Sequence, residues 1–242
     1  MRNLGDFGVF RLRGRPGLLY RQGLHISEST VGLRLVCLDL EGILTPEIWI
    51  GLAERTGIDA FRATTRDIPD YNDLMRQRLA LMDQHGFGLP EIHEVVDELA
   101  PLQGAAEFVA WIRARYPLVV LSDTYYEFVD PFMEALGRPT LFCHSLVIEE
   151  SGRIADYVLR HPDHKRATTA AFRALNFEVA AVGDSYNDTG MLAEADFGIL
   201  FRAPDNVLAE FPQFPAVREY ADLEALLGAP EWPPIAERRD TA

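Results

Sequence analysis

Four acids in this 242-residue sequence stand where short apolar runs end, which is where side chains that do chemistry are often placed. Asp39 and Glu41 close the run 35–40, and in an extended chain two residues so spaced share one side. Gly42, next to them, lets the backbone turn sharply. Asp184 and Asp188 follow the run 179–183 at i, i+4 spacing, with Asn187 between them. One Asp-x-Glu by itself is ordinarily a solvated loop. Acids packed this closely behind a buried strand repel one another unless a cation offsets them, and all-oxygen ligands favour magnesium or calcium over zinc. Asp39 could then act as a nucleophile or as a metal ligand.

Two further segments carry groups suited to an anion. Ser122 and Asp123 end the apolar run 117–122, and the Ser122 hydroxyl can hydrogen-bond a phosphate oxygen. Lys165 is the single lysine in a chain with 23 Lys plus Arg. A chain that uses Arg for every other cation and Lys here points to a place where a compact ammonium serves and a planar guanidinium does not. Such a point charge would neutralise phosphate and lower the pKa of a neighbouring carboxyl nucleophile. His161 and His164 flank Pro162-Asp163 just before it, and read as loop residues rather than a metal pair.

These groups need a scaffold that brings four separated segments to one edge. Runs 35–40, 117–122, 179–183 and 197–201 are short and apolar, as in a parallel sheet covered on both faces. Helical patterns at 105–116, 128–136 and 168–175 alternate with them, which argues for an α/β doubly wound sheet whose ligands bind beyond the carboxyl ends of the strands. The stretch between the first two strands is too long for a simple crossover. It holds helical patterns at 48–55, 74–83 and 92–99, with breaks at 68–70 and 86–90. The expected organisation is an N-terminal extension at 1–32, a catalytic core at 33–46 plus 101–227, an inserted helical cap at 47–100, and a proline-containing, frayed tail at 228–242. Trp49 and Trp111 read as core.

Taken together and in order, Asp39, Ser122, Lys165, Gly183-Asp184 and Asp188 resemble the motif set of the haloacid dehalogenase superfamily of aspartyl phosphatases. The stretches 37–42 (CLDLEG), 46–50 (PEIWI), 64–71 (TTRDIPDY), 121–124 (LSDT) and 183–188 (GDSYND) are similar to its phosphoserine phosphatase / homoserine phosphotransferase group. The resemblance covers roughly residues 33–225. It implies a Rossmann-like parallel core with a helical cap inserted after the first strand. It also implies that Asp39 attacks phosphorus to give an aspartyl phosphate, and that Glu41 protonates the leaving oxygen and then activates water or an alcohol. The wider family has Asp at that second position, one methylene shorter. Asp39, the Glu41 carbonyl and Asp184 would hold Mg2+, with Asp188 orienting them from behind. Ser122, the Asp123 backbone and Lys165 would hold the phosphoryl oxygens, and Asn187 would reach the substrate.

Substrate choice falls to the loop after the first strand and to the cap. Glu47 could bind an ammonium and Arg78 a carboxylate, bidentately. Together they match the amino-acid end of phosphoserine, and the resemblance implies the same two positions and a place in serine biosynthesis. The expected function is therefore magnesium-dependent hydrolysis of L-phosphoserine, with homoserine as a further phosphoryl acceptor. The alternatives are a phosphatase of a sugar phosphate or nucleotide, a metal-independent dehalogenase, and a noncatalytic module on the same fold. A net charge of −14 argues against nonspecific nucleic-acid binding, and the chain has no apolar run long enough to span a membrane. Two distant cysteines, Cys37 and Cys143, make a disulfide framework a poor fit and a reducing cytoplasm the expected setting.

Overall fold

The computed structural model describes residues 33–64, 67, 68 and 70–233, so the extension at 1–32 and the tail from 234 lie outside the described residues. Seven strands form one sheet: β1 (Leu33–Leu38), β2 (Leu118–Tyr125), β3 (Thr140–Ile148), β4 (Ile154–Val158), β5 (Phe177–Gly183), β6 (Phe197–Phe201) and β7 (Ala216–Val217). Their order is β4-β3-β2-β1-β5-β6-β7, parallel throughout except for β4, which pairs antiparallel with β3.

Alternation along β1 shows why the sheet is doubly covered. Val36 and Leu38 belong to one apolar cluster and Leu35 and Cys37 to another, as a two-residue period requires when both faces are buried. On one face pack α1 (Ile48–Thr56), α3 (Leu89–Glu98), α4 (Ala105–Arg113), α5 (Tyr126–Ala135) and α9 (Tyr220–Leu227), through residues such as Leu52, Ile92, Phe108, Phe128 and Leu223. The other face takes α7 (Thr189–Glu194) and α8 (Asp205–Glu210), through Met191, Leu192 and Val207. β1 is central, and the chain winds outward from it to β4 before crossing to β5. The carboxyl end of β1 is therefore the topological switch point, the place where open α/β sheets bind ligands.

Between β1 and β2 lie α1, a 3-10 turn (Asp59–Arg62), α2 (Tyr71–His85), α3 and α4. The breaks between them have local causes. Asp70 starts α2 by accepting from the N–H groups of Asn72 and Asp73, and Gly86 ends it in the left-handed region at φ 67°.

The structure departs from the sequence reading in several places. β1 ends at Leu38, because residues 40–45 form a tight turn in which the Leu44 and Thr45 N–H groups both donate to the Leu40 carbonyl. Glu41 is consequently not in an extended run with Asp39. β2 continues to Tyr125, and its register with β3 slips between Leu121 and Tyr125, so Ser122–Thr124 form an irregularity rather than an end. The β3–β4 hairpin carries no unbroken apolar run and was not expected. α6 (His164–Ala174) begins four residues early, which places Lys165 inside its first turn instead of before it. The tail is packed as far as the structure describes it. Trp232 is buried beneath the Arg34 guanidinium, 4.5 Å from its ring, and Arg34 also donates to the carbonyls of Ala229 and Pro230. Among the described residues no helix is long and apolar enough to cross a membrane.

Candidate active site

Asp39 lies one residue past β1, only 4% exposed, anchored by its N–H donating to the Val182 carbonyl of β5. Its Oδ1 accepts from Lys165 Nζ at 2.8 Å, and the same ammonium donates to Asp188 Oδ1 at 2.8 Å. Asp188 Oδ2 accepts from the backbone N–H groups of Asp184 and Ser185 at 2.9 and 3.1 Å. Asp188 is thus committed on both oxygens, which suits a residue that fixes its neighbours. Gly183 makes this packing possible, since a Cβ there would stand 2.5 Å from Asp188 Cγ.

Carboxylate oxygens of Asp39, Asp184 and Asp188 fall within 4.8 Å of one another, with one ammonium among them. Burial pushes the Asp39 carboxyl well above its usual range, and repulsion from Asp188 adds to this; Lys165 opposes both without prevailing. Lys165 thus lowers the Asp39 pKa as expected, but burial and the neighbouring acids outweigh it. Asp184 is pushed up to about 7 by burial and then by Asp188 and Glu47. A divalent cation would reverse both shifts, and an all-oxygen donor set fits a hard cation. Asp39 and Asp184 are the carboxylates able to hold it.

The Glu41 carboxyl lines the cleft and accepts from the Ile48 N–H at 2.8 Å, at the start of α1. Burial first, then the Glu47 carboxylate, push it up to about 8. A carboxyl so perturbed holds a proton near neutral pH and can give it up. Ser122 is buried and its Oγ accepts from the Thr124 N–H at 3.3 Å. Asn187 Nδ2 donates to Asp123 Oδ2 at 2.7 Å.

An open cleft of about 750 Å³ runs over this cluster, lined by Glu41, Glu47, Arg78, Asp123, Asp184 and Asn187. Arg78 is buried on α2, its guanidinium stacked 4.5 Å from the Trp49 ring. Nη2 donates to the Ala63 carbonyl at 3.0 Å, Nη1 reaches only the Met75 sulfur at 3.7 Å, and Nε has no partner. Among the described residues no carboxylate pairs with it. Arg76, by contrast, is exposed and bonded to Asp73. All the residues expected at the site thus line this cleft or abut the acid cluster beneath it, apart from Ser122, for which the structure gives only burial and its local bond.

Sequence reasoning missed His144, Tyr71 and the part played by His164. His164 is not a loop residue but a buried one, its Nε2 3.1 Å from Asp123 Oδ1. A buried polar residue on an unforeseen strand, His144, left no signal of its own. His161, as expected, lies in the connection before α6.

An open α/β sheet with a buried acid in the turn after its central strand, a lysine from a crossover helix and acids after the adjoining strand is an arrangement suited to displacement at phosphorus by a carboxylate. Residues 33–196 match the model of the haloacid dehalogenase-like hydrolases, and the chain belongs to that family. It is 59% identical over 192 residues to phosphoserine phosphatase ThrH of Pseudomonas aeruginosa, covering 79% of this chain and 94% of that protein. It is 57% identical over 192 residues to a phosphoserine phosphatase of Pseudomonas syringae pv. tomato, covering 79% and 81%. Among solved structures, a phospho-aspartyl intermediate analogue of phosphoserine phosphatase superposes with a TM-score of 0.66 at 21% identity, covering 81% of this chain and 98% of that one. At that identity the likeness is one of fold.

Proposed function

We propose that this chain is a magnesium-dependent phosphoserine phosphatase that hydrolyses L-phosphoserine to L-serine through an aspartyl phosphate, an acyl phosphate on Asp39. The observation that carries the reading is Arg78: a buried guanidinium with an unpartnered Nε and, among the described residues, no carboxylate in ion-pair contact, facing the cleft that Glu41, Asp184 and Asn187 also line. Leaving such a cation without a counter-ion is costly unless an anionic ligand completes it. A substrate carboxylate does so, and Glu47 in the same cleft takes the ammonium. The two relatives above 50% identity bear the same activity in their names.

In the first half-reaction Asp39 attacks phosphorus, the bond from phosphorus to the serine oxygen breaks, and Glu41 gives that oxygen its proton. Asp39 Oδ1 is engaged by Lys165, while Oδ2 accepts no hydrogen bond among the described residues and is the oxygen left to react. Lys165, Ser122 and the Asp123 backbone hold the phosphoryl oxygens, and Asn187 contacts the substrate. In the second half-reaction water attacks the aspartyl phosphate, Glu41 takes its proton, and inorganic phosphate leaves with Asp39 restored. Mg2+ held by Asp39, the Glu41 carbonyl and Asp184 would neutralise charge on the transferring group. Homoserine, one methylene longer than serine, presents the same ammonium and carboxylate to Glu47 and Arg78. Its hydroxyl is therefore a second acceptor, giving phosphohomoserine in place of phosphate.

The test is phosphate release from L-phosphoserine with Mg2+, with EDTA, and with Asp39→Asn. Release that needs both metal and Asp39 supports the reading. Hydrolysis of p-nitrophenyl phosphate without release from phosphoserine would keep the chemistry and discard the substrate, as a sugar-phosphate or nucleotide phosphatase requires.

A further inference from the structure

We propose that the Asp123 side chain is a positioning residue for phosphoryl transfer, held by His144, His164 and Tyr71 and in turn setting Asn187 and Lys165. The proposal rests on the reading of the cleft as a phosphoryl-transfer site.

Both carboxylate oxygens of Asp123 are engaged. Oδ1 faces two imidazoles, His164 Nε2 at 3.1 Å and His144 Nε2 at 3.5 Å. Oδ2 accepts from Asn187 Nδ2 at 2.7 Å and lies 3.6 Å from Lys165 Nζ. The Asn187 carboxamide is fixed from its other end as well, its Oδ1 accepting from the Ser185 hydroxyl. Both histidines are almost wholly buried, at 3% and 2% exposure. The backbone of Asp123 is gripped too. The Tyr71 hydroxyl donates to its carbonyl at 2.9 Å and lies 3.0 Å from the Tyr125 hydroxyl. The rings of Tyr71 and Tyr125 each stand 6.0 Å from His144.

Asp123, His144 and His164 have the composition of a metal site, with ligand atoms within 4.8 Å. The hydrogen bonds argue otherwise. His144 Nδ1 accepts from the Arg160 N–H at 3.2 Å, so a neutral ring carries its proton on Nε2, the nitrogen facing Asp123. That nitrogen donates and cannot also ligate. A lysine ammonium beside Oδ2 further disfavours a cation there.

By charge alone a neutral residue would suit the spot better. Asp39 and Asp188 already share Lys165, and a third carboxylate nearby works against binding an anion. What the carboxylate adds is geometry: two oxygens tie together donors from α6, β3 and the turn after β5. Tyr71 extends this to α2, which also carries Arg78. The helix that would read the amino-acid end of the substrate is thus joined by one hydroxyl to the residue that sets the phosphoryl end.

Displacing groups aligned on a transition state by about 1 Å can cost on the order of 100-fold in rate. His144→Leu is therefore expected to lower kcat by about 10- to 100-fold and to leave KM for phosphoserine within about threefold, since Arg78 is untouched. His144→Gln, whose amide N–H reaches toward the same oxygen, recovers most of the loss. Tyr71→Phe lowers kcat in the same sense and guards against a His144→Leu variant that does not fold. Each is assayed on L-phosphoserine and on p-nitrophenyl phosphate with Mg2+. Wild-type enzyme active only on the aryl ester would reject the phosphoserine reading, and the His144 comparison is then made on that ester. Calorimetric binding of inorganic phosphate gives the same contrast without turnover, weaker in His144→Leu and regained in His144→Gln. Folded His144→Leu with unchanged kcat and unchanged phosphate binding overturns the proposal, as does equal damage from Leu and Gln.

Discussion

Gly42 and Asp184 are in contact in a way that only glycine permits: a Cβ on residue 42 would stand 2.7 Å from the Asp184 Cγ. Gly42 also has φ 79°, in the left-handed region. The turn that carries Glu41 and the turn that carries Asp184 are therefore locked together at the edge of the acid cluster.

Gly42→Ala is expected to damage both stability and chemistry. The left-handed conformation alone costs a residue with a Cβ about 1–2 kcal/mol, which lowers Tm by about 2–4 °C per kcal/mol in a chain of this size. Displacing Asp184 should cost at least about 100-fold in kcat/KM, the scale set by misplaced catalytic groups. Thermal unfolding together with steady-state kinetics checks this; a variant with wild-type activity would show that the contact does not matter.

Lys165 is not replaceable by arginine. It is a buried point charge between two carboxylates, each 2.8 Å away, and a guanidinium is larger, planar and differently directed. Lys165→Arg should lose activity almost as fully as Lys165→Met. Lys165→Met leaves Asp39 and Asp188 buried without their counter-ion, and breaking a buried pair costs about 3–5 kcal/mol. Chemical denaturation of both variants alongside wild type reads the effect. Near-normal turnover by Lys165→Arg would refute it.

Arg78→Ala separates recognition from chemistry. It should reduce kcat/KM for phosphoserine by about 100-fold or more, the scale for losing a charged, bidentate contact. Turnover of p-nitrophenyl phosphate should stay within a few-fold, because the aryl ester has no carboxylate to bind. Equal losses on both substrates would remove Arg78 from substrate recognition.

His164 makes one contribution to the pH dependence of stability. Burial holds its imidazole below the usual range despite the Asp123 carboxylate beside it, with His144 and Lys165 pushing the same way as burial. A histidine with a lowered folded pKa is protonated first in the unfolded chain. Stability is then complete above the unfolded value of about 6.5 and falls as pH drops through the interval below it, levelling once the folded ring is protonated. Asp123 is held well below its range and contributes in the same sense only at much lower pH, where its folded carboxylate protonates. The Tm difference between wild type and His164→Gln should shift against wild type as pH falls from 7.5 to 5, over a background in which Glu41 and Asp184, pushed up to about 8 and about 7, bind protons in the folded chain and act in the opposite sense. Parallel curves would contradict this assignment.

Much of this architecture was legible in the sequence because its parts are local. Apolar runs of five or six residues marked β1, β5 and β6 as buried strands, and the acids beyond them marked the ligand edge. The β3–β4 hairpin was not legible. His144 and Ser145 interrupt its apolar pattern, and its pairing is set by tertiary contacts rather than by strand propensity. With it went His144, whose partner Asp123 lies 21 residues earlier in the chain. Glu41 was placed beside Asp39 on the assumption of extended backbone. The turn at 40–45 sends it to Ile48 N–H instead, a geometry that depends on Gly42 fitting against Asp184. Arg78 could be picked out as a cation at a helical position, but that it is buried and lacks a carboxylate partner is visible only once Trp49, Met75 and Ala63 surround it.

The central claim is that Asp39 itself is phosphorylated. Enzyme mixed with radiolabelled L-phosphoserine and Mg2+, quenched in acid within a turnover and digested, should carry label on the peptide containing Asp39, and borohydride reduction before digestion should convert that residue to homoserine. Asp39→Asn should carry no label and release no phosphate. Phosphate release by Asp39→Asn, or label on another residue, would contradict the account.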